Sequence, residues 1–320
     1  MIFKYVDGLP FVPVTYPANK ADGLYVENLQ LDSLVTYINK KEIKKAFLNG
    51  IVDFEFLADC HSIQHLVIRL DTPFSKWETL ARKGKHLVSE YCFRVLYDFP
   101  LLKSLDIRDC EPPIITPKLL IDISKIKGLE YYSGNYKYME NFACVSSLKT
   151  IWIYHYTESD FRYLTELKQL DTLNLTSSNI TSLNGCEKLP NLQCLYLHYN
   201  RSLQDISALE GIRETLKALR IEACGKIRDF SVLEKLENLE LLELSGNNEV
   251  PNLNFLRKMH KLKTFIFSMN VLDGNLWPCM HLLYVYSEKN RKHYNLKDRE
   301  LPKGQYVHGN ESIEEWRRLE

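Results

Sequence analysis

The feature that most constrains this chain is a six-residue pattern, LxxLxL, which returns at nearly constant intervals. It begins at Leu102, Leu148, Leu170, Leu192, Leu216, Leu239 and Leu262, and from Leu148 the steps are 22, 22, 24, 23 and 23 residues. Weaker copies start at Ile63 (IQHLVI), Leu129 (LEYYSG) and Leu282 (LLYVYS), which makes ten in all. The segments between them also match. Asp160-Phe161-Arg162, Asp205-Ile206-Ser207 and Asp229-Phe230-Ser231 each open a short stretch of spaced apolar residues that runs into the next LxxLxL. The segment from Phe93 is a further copy without its Asp. A unit this short cannot bury its apolar face alone, so the units must stack on one another.

The spacing dictates what one unit does. The last two apolar residues of LxxLxL stand two apart, so both point to one face of a short strand while the residue between them faces the other way. Stacked units place these strands side by side in parallel. Three residues beyond the pattern stand Asn200, Asn247 and Asn270, with Ser178, Cys110 and Cys224 in the same slot of other units. An Asn there is expected to bond backbone groups where the chain leaves the strand. Asp160, Asp205 and Asp229 read as N-caps, and the room left by so short a unit suits a 3₁₀ turn rather than a long helix. The expected organisation is an N-terminal cap at 1–50, a solenoid at 51–287 with an insertion at 72–91, and a polar tail or cap at 288–320. In the cap, DSLVTYINKKEIKKAFL (Asp32–Leu48) is patterned as a helix. A short helix over Ser312–Leu319, held by Trp316, is expected in the tail, which reads equally as a cap or an extension.

Period and pattern together are those of leucine-rich repeats, whose units run about 20–29 residues. The units resemble the short, internalin-like class of bacterial leucine-rich repeats. The resemblance rests on LDTLNLTSSNITSLNGCEKLPNLQCLYLHYN at 170–200 and on the Asp-apolar-Ser elements at Asp205 and Asp229, and it covers roughly residues 93–287. It implies an α/β solenoid with a curved parallel sheet on its concave side and short turns on its convex side. It also implies a non-catalytic module that holds a protein partner on the concave face, such as an immunity or adaptor protein. The alternatives are a targeting arm of an effector acting through 72–91 or the tail, and a surface adhesin.

Composition narrows the partners. Lys+Arg and Asp+Glu balance at 41 each, so no global charge draws the chain to nucleic acid or anionic lipid. No stretch reaches the roughly 20 apolar residues of a membrane span, and the N-terminus lacks the pattern of a secretory signal. Eight cysteines are scattered without a CxxC, and several occupy core slots. They read as reduced thiols, which points to the cytoplasm. No cofactor, metal or small-molecule substrate is expected.

The candidate site comes from the outward strand positions. Tyr131, Trp152, Tyr154, Tyr196 and His198 form an expected exposed aromatic patch, bordered by Arg220 and Glu222, with Asp106 and Arg108 further along. Trp, Tyr and Arg are the residue types enriched at interface hot spots, although strands favour aromatics for local reasons too. Asp106–Arg108 and Arg220–Glu222 read as surface ion pairs. Cys60, His61 and an exposed His65 are too few for a tetrahedral zinc site. The basic run ARKGKH at 81–86 lacks the spacing of a phosphate loop. Nothing places a nucleophile beside a base.

Overall fold

The structure, a computed structural model, describes residues 11–13, 23–26, 31–49, 55–69, 93–108 and 121–307. The insertion at 72–91, its basic run at 81–86, Cys92, Cys110 and the expected helix at 312–319 lie outside them. Two compact units divide the chain between Leu148 and Lys149.

In the first unit, β1 (Phe11–Pro13) pairs antiparallel with β2 (Gly23–Val26), and β2 runs parallel to β3 (Lys45–Asn49). The parallel order continues through β4 (His65–Arg69) and β5 (Ser104–Arg108), with the short β6 (Ile121–Asp122) preceding β7 (Tyr131–Asn135). The two-residue β8 (Met139–Glu140) pairs with β6. Among the described residues, two helices precede repeat strands, α1 (Leu31–Lys40) and the single turn α2 (Arg94–Tyr97).

The helix expected over Asp32–Leu48 stops at Lys40. Leu34 and Ile38, one turn apart, are buried and anchor α1. Glu42 then adopts a left-handed conformation, φ 51°. The amides of Glu42 and Ile43 donate back to the Asn39 and Ile38 carbonyls, the pairing of a Schellman stop. The chain then enters one more repeat. Ile43, Ala46 and Leu48 stand at the LxxLxL positions, and Ala46 and Leu48 align with Leu66 and Ile68 of β4. An alanine in the middle slot hides the copy from a search for leucines.

The weak copy at Leu129 has a steric cause. Tyr132 occupies the second core slot and is fully buried. A Cβ on Gly134, in the third slot, would lie 2.5 Å from the Tyr132 hydroxyl. One large ring thus fills the volume that two leucines fill elsewhere.

The second unit is a leucine-rich-repeat solenoid of regular register. Its sheet runs in parallel through β9 (Thr150–Tyr154), β10 (Thr172–Thr176), β11 (Cys194–His198), β12 (Ala218–Glu222) and β13 (Leu241–Ser245). Beyond the short β14 (Glu249–Val250) come β15 (Thr264–Phe267), β16 (Asn270–Val271), which pairs with β14, and β17 (Tyr284–Ser287). Leu173, Leu195, Leu219, Leu242, Phe265 and Val285 align across six strands and are all fully buried. Each such side chain contributes about 1.5–3 kcal/mol by burial. The connections carry 3₁₀ turns, as at Arg162–Leu164, Ser207–Ile212 and Ser231–Lys235. Asp205 and Asp229 sit one residue outside the cap position. Each accepts from the backbone N–H two residues on, at 2.9 and 2.8 Å, an Asx turn that aims the chain into the 3₁₀ segment.

Two ladders tie the strand exits together. His155, Ser177, Tyr199 and Ala223 all adopt left-handed backbone, φ 54–58°. Each donates its N–H to a carbonyl of the following repeat (Thr176, His198, Glu222 and Ser245), at 2.8–3.0 Å. Beside them runs the polar slot. Asn200 accepts from the Ser178 N–H at 2.8 Å and donates to the Leu175 carbonyl at 2.9 Å, entirely buried. The expected members Asn247 and Asn270 do not fill this slot. Gly246, at φ 140°, lengthens its turn by one residue, so Asn248 enters instead and donates to the Cys224 and Ile227 carbonyls. Asn270 lies in β16, half-buried, and donates to Glu249.

Candidate functional surface

The strands of the second unit present three outward rows. The first contains Thr150, Thr172, Cys194, Ala218, Leu241 and Thr264, and every one of them is buried. Cys194, Ala218 and Leu241 are apolar on a face that an open sheet would present to water. The reason lies far along the chain. Tyr196 and these three form a small apolar cluster on which Trp152 and Tyr306 pack.

Tyr306 arrives from the tail. After β17 the chain turns through a 3₁₀ segment at Asp298–Glu300 and returns antiparallel along the last strand. The Val285 N–H donates to the Pro302 carbonyl, and the Gly304 N–H to the Leu283 carbonyl, each at 2.9 Å. The Asp298 carboxylate holds the Ser287 N–H at 2.8 Å and the Lys303 ammonium at 2.7 Å. The tail through residue 304 therefore covers the last strand's edge as a cap. Residues beyond it then cross onto the concave face. The Tyr306 ring meets Tyr284 edge to face at 5.3 Å, its hydroxyl accepts from the Arg220 guanidinium at 2.9 Å, and the Val307 N–H donates to the Thr264 hydroxyl at 3.0 Å.

The second row holds Trp152, Asn174, Tyr196, Arg220, Glu243 and Ile266 in register. The third holds Tyr154, Thr176, His198, Glu222 and Ser245. Trp152 and Tyr196 stand two strands apart, as their spacing predicts. They are not equally open. Tyr196 is only 3% exposed, whereas Tyr154 is 40% exposed and Tyr199, just past β11, is 48% exposed. Trp152 is half-buried.

The charges pair across strands rather than along them. Arg220 does not pair with Glu222. Its Nε lies 3.6 Å from Glu243 on the next strand, and its guanidinium carbon lies 5.1 Å from the centre of the Tyr196 ring. Glu222 instead takes His198 Nδ1 at 2.8 Å. The negative charge of Glu222 and its hydrogen bond also raise the Tyr199 phenol above its ordinary range. Burial raises the Glu243 carboxyl despite the opposing charge of Arg220, and Glu222 and Glu288 push it the same way. The surface thus couples aromatic rings to partly desolvated charges, the chemistry of a binding face.

Asp106, Arg108 and Tyr131 belong to the first unit. Asp106 and Tyr131 are buried rather than exposed. Arg108 folds over Asp106 with two bonds of 2.8 and 2.7 Å and lies 5.9 Å from the Phe47 ring. Burial nevertheless raises the Asp106 carboxyl. His65 is half-buried rather than open, and desolvation, with Lys45 and Lys103 nearby, lowers it to about 4. Cys60 is buried against the Phe56 carbonyl, and desolvation raises its thiol to about 12. Among the described residues, no three His, Cys, Asp or Glu side chains gather as metal ligands do.

The missed contributors are the first outward row, Tyr199 just past β11, and Tyr306. The first left a signal, since Cys194, Ala218 and Leu241 are apolar at outward positions. Tyr306 left none, because its contact with Arg220 spans 86 residues.

Residues 168–211 match the family model "Leucine Rich repeats (2 copies)". Acidic leucine-rich nuclear phosphoprotein 32 family member A of Drosophila melanogaster is 34% identical over 112 residues, which cover 34% of this chain and 41% of that protein. Its Drosophila pseudoobscura pseudoobscura counterpart is 33% identical over the same coverage, so the chain matches less than half the length of these relatives. Among solved structures, the Toll–Spätzle complex from Drosophila matches with a TM-score of 0.55 at 13% identity, covering 90% of this chain and 45% of that one. An internalin of Listeria monocytogenes matches with a TM-score of 0.49 at 12% identity, covering 85% of this chain and 76% of that one.

Proposed function

We propose that this chain is a non-catalytic recognition module that holds a protein partner on the concave face of its second unit. The observation that carries the reading is the outer rim of that face. Tyr154 and Tyr199 stand open two repeats apart, Tyr199 next to the His198–Glu222 pair, and none of these side chains contributes to the buried core. The Tyr154 ring, on a short, rigid strand, loses little conformational freedom when a partner covers it. The Toll chain, which shares the fold, is seen in complex with Spätzle, and this supports a protein as the ligand. Cys60, Cys144, Cys186, Cys224 and Cys279 are free thiols, and burial raises those of Cys186, Cys224 and Cys279 to about 12. Unpaired thiols held in a core suit a reducing compartment, so we place the protein in the cytoplasm, as an immunity or adaptor protein.

The test is a comparative capture from the cytosol with mass-spectrometric readout. Wild type is compared with the double variant Tyr154→Ala, Tyr199→Ala, whose side chains are too open to matter much for folding. A protein retained by wild type and lost from the variant is the expected result. Equal recovery of the same protein by both would move the binding face elsewhere.

A further inference from the structure

The segment that crosses the concave face behaves as a ligand would. Tyr306 is inserted edge-on against Tyr284, packs on the cluster of Cys194, Tyr196, Ala218 and Leu241, and accepts a hydrogen bond from Arg220 on its hydroxyl. Its neighbour Val307 is held through its main chain by the Thr264 hydroxyl. A main-chain hydrogen bond beside a deeply seated aromatic side chain is how extended peptides are held on protein surfaces, with the backbone giving affinity and the pocket giving specificity.

The fit is incomplete in one respect. The Trp152 indole N–H is buried and finds no acceptor among the described residues, although its ring lies on the same cluster. A buried donor without a partner costs free energy that any ligand supplying a carbonyl or carboxylate there would recover. The segment therefore fills the seat without satisfying it.

We propose that the seat formed by Tyr196, Arg220, Tyr284 and Thr264 recognises an unmodified tyrosine in an extended segment of the partner, and that Tyr306 and Val307 occupy it as a built-in competitor. This rests on the reading of the concave face as the partner-binding surface. The charges around the seat set the specificity. Arg220 supplies the donor for a neutral phenol, while Glu243 beside it and Glu222 and Glu288 nearby oppose a phosphate. An aromatic ring lacking the hydroxyl would fill the apolar part and leave Arg220 without its third contact.

The seat is tested without any natural partner. The probe is a fluorescent, end-blocked peptide of the chain's own residues 304–308, Gly-Gln-Tyr-Val-His, titrated to about 1 mM, since a tethered segment competes at roughly millimolar effective concentration. The full chain carrying Tyr306→Ala is expected to bind it about tenfold more tightly than wild type does. Replacing the peptide's tyrosine by phenylalanine or phosphotyrosine is expected to weaken binding to the variant. Adding Arg220→Ala should abolish the preference for tyrosine over phenylalanine. Tyr306→Phe keeps the ring packing and serves if the alanine variant does not fold; its affinity for the peptide should fall between the other two. Equal binding to wild type and variant, or no saturable binding to either variant, would overturn the proposal. Peptide binding of the expected form together with an unchanged capture by the Tyr154, Tyr199 double variant would keep the seat and refute the rim.

Discussion

The two faces of the second unit's sheet are made by the same strands and obey different rules. On the inward face, Leu173, Leu195, Leu219 and Leu242 follow one another in register, and each repeat is nearly interchangeable with the next. On the outward face, Trp152, Asn174, Tyr196, Arg220 and Glu243 occupy successive rungs, and no two are alike. Stacking requires a constant volume at each inward position, because interiors are close-packed and a gap is felt at once. It requires nothing of the kind outside. Uniformity therefore marks what holds the solenoid together, and variety marks where a particular ligand can be recognised.

The contrast can be attacked from its strongest side first. Leu195→Ala opens a cavity in the uniform ladder and should cost about 2–5 kcal/mol of stability, read from denaturant midpoints. A loss no larger than that of an open-surface change would place Leu195 outside the core ladder. Asn200→Ala should cost about 1–3 kcal/mol in the same assay, because it strands the Ser178 N–H and the Leu175 carbonyl in a dry interior.

The outward face responds to pH. The folded-state Glu243 carboxyl titrates above its ordinary value of 4.5, chiefly because it is buried. The folded chain therefore holds this proton more tightly than the unfolded chain does. The resulting stability is fully present below the ordinary value and is lost as pH rises through the raised one. Glu243→Gln should accordingly flatten the fall of Tm with rising pH above 4.5 relative to wild type. Parallel curves would show that this carboxylate stays solvated. The smallest effect concerns the exit ladder. Ala223 holds φ 54°, where a Cβ is disfavoured by roughly 1–2 kcal/mol and glycine is not. Glycine's greater freedom in the unfolded chain offsets much of that gain, so Ala223→Gly should shift stability by less than about 1 kcal/mol, upward. A clear loss of stability would mean that the Ala223 methyl group is packed.

The inward face is readable in the sequence because a constant volume at a constant period is itself a sequence pattern. Where volume is redistributed, the pattern weakens. Tyr132 and Gly134 share between them what two leucines do elsewhere, and Ala46 conceals a repeat inside a helix-like stretch. Spacing alone puts the polar slot at Asn247, because one residue inserted at Gly246 shifts the register by one. The left-handed exit positions are invisible, since His155, Ser177, Tyr199 and Ala223 have no chemistry in common; only their backbone bond to the next repeat is shared. The outward face is legible in direction but not in exposure. Alternation shows which way Tyr196 points, and cannot show that Trp152 and Tyr306 pack on the cluster it belongs to.

Two tyrosines make the most direct test, because they are equally open on opposite faces. Tyr154, 40% exposed, stands at the end of a concave strand, and Tyr163, 43% exposed, lies in a 3₁₀ turn of the convex side. A photoreactive benzophenone side chain would be placed at each position in turn, and cytosolic proteins cross-linked to it by light. A single dominant adduct from position 154 and none from position 163 is the predicted result. An adduct from position 163 with none from position 154 would contradict the account and put recognition on the turn-bearing side of the repeat.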